Sequence, residues 1–153
     1  MERNVLIVLC GISGSGKSTF AELLESGNFY RVCPDLIRKE KFGDESIQKD
    51  GDKIFRYAYN QMIDYGHDNL NVVFDATNVT KKARQKIIDN AKGFFDFIIC
   101  YYINTPLEIA LDRNARRNRK VPEDVVKSQY DRFEMPTIKE GFDYVSIIDY
   151  NLN

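Results

Sequence analysis

"NVLIVLCGISGSGKST", residues 4–19, joins an unbroken apolar run to a glycine-rich turn that ends in a lysine and two hydroxyl residues. The run is rich in branched side chains and lacks polar alternation, the pattern of a strand covered on both faces. The turn, "GISGSGKST" (11–19), satisfies G-x-x-x-x-G-K-[ST]. Its glycines let consecutive backbone N–H groups converge on phosphate oxygens, and the helix that follows directs its positive end at them. In this pattern Lys17 reaches the β- and γ-phosphates and the Ser18 hydroxyl is a magnesium ligand. Gly14, Ser15, Gly16, Lys17, Ser18 and Thr19 are therefore the candidate cradle for ATP with Mg2+. A strand before the motif and a helix after it predict that the chain binds a nucleoside triphosphate.

Outward from this stretch, strand-like runs alternate with helix-period segments. Phe20, Leu23 and Leu24 fall on one helical face, and Gly27 stops that turn. "YRVC" (30–33) reads as a second strand, and Pro34 fits the first position of a helix carrying Leu36 and Ile37. Ile54, Phe55, Ala58, Tyr59, Met62 and Ile63 make an amphipathic helix. "NVVFD" (71–75) is a further strand, followed by a helix with Ala83, Ile87, Ile88 and Ala91 inward. "FDFIICYYI" (95–103) is the next strand, after which Thr105 and Glu108 form an expected capping box around Pro106. Pro122 starts a helix that ends near Pro136, and "YVSIID" (144–149) is a last strand. The alternation implies parallel pairing with right-handed crossovers, hence a three-layer α/β domain with about five strands in a mainly parallel sheet.

A chain of 153 residues suffices for one domain with one core, spanning 1–153. Hydrophobic residues are 43% and charged residues 29%, an ordinary globular composition. The formal charge of −1 excludes bulk attraction to nucleic acid, so a polyanionic partner must be held by a local basic patch. Cys10, Cys33 and Cys100 lie in or beside apolar runs without metal-type spacing, which points to buried thiols in a reducing cytosol. No signal peptide or membrane-length apolar run is present, so a soluble cytoplasmic protein with no membrane partner is expected.

Triphosphate binding leaves a kinase, a GTPase switch and a motor open. Small size disfavours a motor, and no Asn-Lys-x-Asp loop for guanine is present. A kinase needs a base near the acceptor hydroxyl, cations on the phosphoryl group and a cover that excludes water. Strand ends face the ligand crevice in open α/β sheets, which places Asp35 and Asp75 near the cradle. Asp35 can accept the proton of an attacking hydroxyl, or serve only as a helix-dipole partner in a first turn. Arg38, one turn along, can pair with Asp35 or clamp a substrate phosphate. "DATN" (75–78) places Asp75, Thr77 and Asn78 at the acceptor side, although Asp75 and Asn78 can also organise the turn, and Asp75 can sit beside magnesium through water or orient Arg38.

"RNARRNRK" (113–120) packs five cations into eight residues and stops at Val121-Pro122, which suggests the tip of a helical hairpin, a lid over about 113–122. Helical spacing puts Arg113 and Arg117 on one inward face, with Arg116, Arg119 and Lys120 outward. A second cluster, Lys81, Lys82, Arg84 and Lys86, can track a nucleic-acid backbone, but a solvated helix face is the expected reading. His67 shows no partner and is assigned no role.

"GISGSGKST", "PDLIR", "VVFDATNV", "RNARRNRK" and "EGFDYVSII", in this order, resemble polynucleotide 5′-hydroxyl kinases, specifically the kinase module of phage-type and bacterial RNA-repair enzymes. The resemblance covers nearly the whole chain and implies a P-loop kinase-like domain with a helical lid. It implies transfer of the γ-phosphate of ATP or another triphosphate, with Mg2+, to 5′-OH ends of DNA or RNA. Lys17 and Ser18 then match phosphate and magnesium contacts, and Asp35 matches the general base. Arg38 matches the arginine on the acceptor strand's phosphate, and Arg113 and Arg117 match lid arginines on the donor. Asp75 matches the aspartate of the D-x-T-N turn. Pro34 departs from the family, in which serine or a charged residue often precedes the base; proline has no N–H to donate. No phosphatase or ligase module follows, which reads as a kinase alone. The alternatives are a kinase of another hydroxyl, small or tRNA-linked, and a non-catalytic ATP-dependent switch.

Overall fold

The structure, a computed structural model, describes residues 2–43, 51–118 and 120–149. Five parallel strands form one sheet: β1 (Val5–Cys10), β2 (Phe29–Val32), β3 (Asn71–Phe74), β4 (Phe97–Asn104) and β5 (Tyr144–Asp149). Their spatial order is β2-β3-β1-β4-β5. The apolar run of β1 is thus the central strand, with Leu6 in register with Val72 on one side and Ile98 on the other. Its alternate side chains serve opposite faces. Leu6, Val8 and Cys10 enter a core covered by α3 (Gly51–His67) and α4 (Lys81–Ala91) through Ile54, Ala58, Met62, Ile87 and Ile88. Ile7 and Leu9 meet Ala21, Phe20 and Leu24 of α1 (Lys17–Ser26) on the other face. A third cluster, Ile12, Val79, Ala110 and Val126, packs α5 (Leu107–Ala115) and α6 (Glu123–Arg132) against the end of β1. The three-layer α/β expectation is met, and the sheet is parallel throughout the described residues. None of the described helices is long and apolar enough to cross a membrane.

Pro34 occupies the first turn of α2 (Pro34–Phe42), with Asp35 at that helix's positive end and Arg38 one turn on. All three cysteines are free and buried. Burial pushes the Cys10 thiol up to about 11 and that of Cys33 to about 12, so both stay protonated.

Four expectations require correction. Leu23 points outward and is 67% exposed, because α1 buries only a narrow stripe on the sheet. Thr105 does not cap α5; its hydroxyl donates to the Ser15 carbonyl at 2.8 Å, and Pro106 stands at the cap. The helix bearing Arg113 ends at Ala115, so the lid tip is a loop, and α6 ends at Arg132. The loop is closed by Asn114, whose amide donates to the Val121 carbonyl at 2.6 Å and accepts from its N–H at 3.1 Å.

The fourth concerns Arg84, which is fully buried rather than on a solvated face. Its Nε donates to Glu140 Oε1 at 2.7 Å, while Nη1 donates to the Asn78 carbonyl and Nη2 to the Glu134 carbonyl, each at 2.8 Å. Glu140 sits in a short 3₁₀ turn, Ile138–Glu140, so this one guanidinium ties α4 to the turn after β3 and to the approach to β5. Removing one member of a buried ion pair leaves its partner uncompensated, at about 3–5 kcal/mol. Arg84→Ala is therefore expected to lower unfolding stability by about that amount. Urea unfolding that moved by less than about 1 kcal/mol would refute this role for Arg84.

Candidate active site

The loop between β1 and α1 has its shape because of two glycines and a ring of outside partners. Gly14 has φ +85°, and a Cβ there would stand 2.2 Å from the Ala110 carbonyl oxygen, so only glycine lets α5 approach. Gly16, at φ +108°, caps α1 in the left-handed region. The loop's outer side is bonded to its neighbours. Ser13 N–H donates to Gln129 Oε1 at 2.8 Å, and the Ser15 carbonyl accepts from Thr105 and from Arg113 Nη1 at 3.2 Å. Gly11 N–H donates to the Thr77 carbonyl at 2.9 Å. The roles of Gln129 and Thr105 carried no readable signal in the sequence, because their partners are backbone atoms 116 and 90 residues away along the chain.

Two clefts open on either side of this loop. The first, about 650 Å³, is lined by Gly14, Ser15, Gly16, Lys17, Ser18 and Thr19 together with Arg113 and Arg117. Beside it Phe20, Leu23, Ile103 and Ile148 line an apolar recess, which accounts for the outward Leu23. The second cleft, about 500 Å³, is lined by Ser13, Asp35, Arg38, Asp75 and Thr77, with Phe55 and Val125 as apolar walls. Arg116 instead faces solvent and pairs with Asp112 at 3.0 Å. Lys120, expected outward, lines the second cleft beside Val121 and Pro122 because the lid tip is a loop and not a helix. Arg119 lies outside the described residues.

Asp35 and Arg38 form an ion pair, Arg38 Nη1 donating to Oδ1 at 2.8 Å. Arg38 is 5% exposed and Asp35 45%, so a buried cation holds a carboxylate that reaches into the cleft. Asp75 is gripped by Arg31, which the sequence reading passed over: Nε and Nη2 donate to Oδ2 at 3.0 and 2.6 Å. Asp75 therefore orients Arg31, not Arg38. Asn78 reaches neither cleft; its side chain is buried and donates to the Leu9 carbonyl at 2.7 Å. Its backbone is left-handed at φ +47°, and its role here is to brace β1.

Lys17 lines the first cleft and feels charges from the second. Its ammonium is buried and donates to the Ile12 carbonyl at 2.9 Å. Burial pulls its pKa down; Asp75, Cys10 and Asp35 oppose that shift, and Arg117 adds to it. Groups from both clefts thus act on one ammonium. The donor set for a metal is sparse: among the described residues no cluster of three His, Cys, Asp or Glu exists. The exposed Ser18 hydroxyl in the first turn of α1 fits a magnesium ion that takes most of its oxygens from water and nucleotide phosphates.

A family model described as an AAA domain matches residues 6–136. The chain is 28% identical to L-seryl-tRNA(Sec) kinase of Methanococcus maripaludis, over 96% of this chain and 62% of that protein. It is 29% identical to the bifunctional polynucleotide phosphatase/kinase of Schizosaccharomyces pombe, over 97% of this chain and 34% of that protein. It thus spans less than two thirds of either relative. Among solved structures, one of the Pnkp1/Rnl/Hen1 RNA repair complex superimposes with a TM-score of 0.77 at 23% identity, over 86% of this chain and 44% of that one. The resemblance to polynucleotide kinases drawn from the sequence is borne out.

The downward shift of Lys17 has a testable sign. A lysine whose folded pKa is depressed opposes folding at every pH below that value, and the penalty fades as pH rises toward the ordinary lysine range. Lys17→Met removes the buried charge, and the Ile12 carbonyl keeps the Ser15 N–H as a partner. At neutral pH the ligand-free Tm of Lys17→Met is expected to equal or exceed that of the parent, while the Tm rise produced by ADP disappears. A lower ligand-free Tm in differential scanning fluorimetry would contradict this.

Proposed function

The chain belongs to the AAA domain family, and on that premise we propose that it is an ATP-dependent kinase transferring the γ-phosphoryl group to the 5′-OH end of DNA or RNA. The observation that carries the reading is the pair of clefts lined by one glycine loop: a cradle with Lys17 and two arginines on one side, and on the other, beside Ser13, a carboxylate gripped by a buried arginine. The cradle and Lys17 bind the triphosphate, and Arg113 and Arg117 steady the phosphoryl charge. Magnesium, when bound at Ser18, supplies further charge neutralisation on the phosphates. Asp35 accepts the hydroxyl proton as the acceptor oxygen bonds to the γ-phosphorus and the bond to the β-phosphate oxygen breaks, leaving ADP. Arg38 orients that carboxylate and meets an acceptor phosphate. Val125, Pro122 and Phe55 exclude water from the acceptor side.

A second reading, a kinase of an aminoacyl-tRNA hydroxyl, is supported by the 28% identity to L-seryl-tRNA(Sec) kinase across 96% of this chain. γ-Labelled ATP offered with 5′-OH oligonucleotides, seryl-tRNA and small alcohols separates the readings. Label on the oligonucleotides alone is the expected result; label on seryl-tRNA alone would replace it with the second. Asp35→Ala is expected to reduce transfer by about 10²–10⁴-fold with nucleotide affinity retained. Loss of nucleotide affinity would instead place Asp35 with the donor. Arg38→Ala is expected to raise the apparent KM for the acceptor more than that for ATP, and an unchanged acceptor KM would refute its role.

A further inference from the structure

The basic cluster after β3 divides in two. Arg84 is consumed by the buried network, but Lys82 and Lys86 project from α4 toward Arg56 of α3 across a groove of about 530 Å³. All three cations are exposed, and among the described residues none enters an ion pair. One carboxylate, Asp52, shares the groove with them. Phe55 and Tyr59 form its aromatic side, their rings 6.0 Å apart. Phe55 also lines the acceptor cleft, so the groove continues that cleft away from Asp35. Lys82 and Lys86 lie one helical turn apart on the same face. Cations beside half-buried aromatic rings are what a single strand requires, its phosphates neutralised and its bases stacked. The excess is local: the whole chain has a formal charge of −1.

Resting on the kinase reading above, we propose that this groove carries a single-stranded nucleic-acid acceptor beyond its 5′ nucleotide. Arg56, Lys82 and Lys86 meet the phosphodiester backbone, and Phe55 and Tyr59 meet the bases. A small hydroxyl acceptor ends in the cleft and makes no use of the groove.

The test combines binding and transfer for the full chain and the triple variant Arg56→Ala/Lys82→Ala/Lys86→Ala. Binding of a 3′-fluorescein 12-mer with a 5′-OH is read by anisotropy across a salt series. The variant is expected to bind at least about tenfold more weakly, and its log–log salt slope to fall by about 2, as three lost phosphate contacts dictate. In transfer, the ratio of kcat/KM for a 12-mer to that for a trinucleotide is expected to drop about tenfold or more in the variant. Equal 12-mer binding and salt slope in parent and variant would overturn the groove. So would a parent that does not bind the 12-mer, with circular dichroism showing both proteins folded. The two readings fail separately: groove-dependent binding without transfer to any oligonucleotide removes the kinase assignment and keeps the groove. Transfer with no groove-dependent length effect and no binding difference does the reverse.

Discussion

The N–H groups that a loop reserves for a phosphate cannot also hold its own shape. That constraint organises the rest of the molecule. Between β1 and α1, one internal bond, from the Ser15 N–H to the Ile12 carbonyl, is joined by imported ones: Gln129 from α6, Thr105 just after β4, Arg113 from α5 and the Thr77 carbonyl after β3 each fasten the loop's outer side. Gly14 allows α5 to come close enough for this to work. Pre-organisation of this kind lets an anion be gripped with little rearrangement at the moment of binding.

The same economy applies to the buried charges. Arg84, Arg38 and Lys17 are cations taken out of water, matched respectively by Glu140 far along the chain, by Asp35 one helical turn away and by the Ile12 carbonyl of its own loop. Arg84 has a complete set of partners and acts as a tie. Lys17 is held by backbone oxygen with its pKa depressed, a state that a bound polyphosphate relieves. Arg38 presents Asp35 to a cleft. Three buried cations thus serve three ends, and the identity of their partners decides which.

Much of this could be read from local sequence. The apolar run, the glycine turn, Pro34 at a helix start and the one-turn spacing of Asp35 and Arg38 all depend on residues close in the chain, and the structure retains each of them. What escaped were long-range partnerships. Arg84 sits among lysines and looks solvated, but its carboxylate comes from Glu140, 56 residues on. Arg31 lies on a short strand, and its link to Asp75 exists only because β2 and β3 are neighbours. Thr105 had the spacing of a cap, yet a backbone carbonyl from residue 15 competed successfully for its hydroxyl. The lid tip was misread as helix because charge periodicity continued past Ala115, where the Asn114 clasp on Val121 turns the chain.

That clasp joins the arginine-bearing turn to the start of α6, and α6 also contributes Gln129 to the glycine loop and Val125 to the wall of the second cleft. One short helix therefore serves both the glycine loop and the second cleft. Any displacement of α6 therefore reaches both clefts at once, because close-packed elements pass strain to their neighbours.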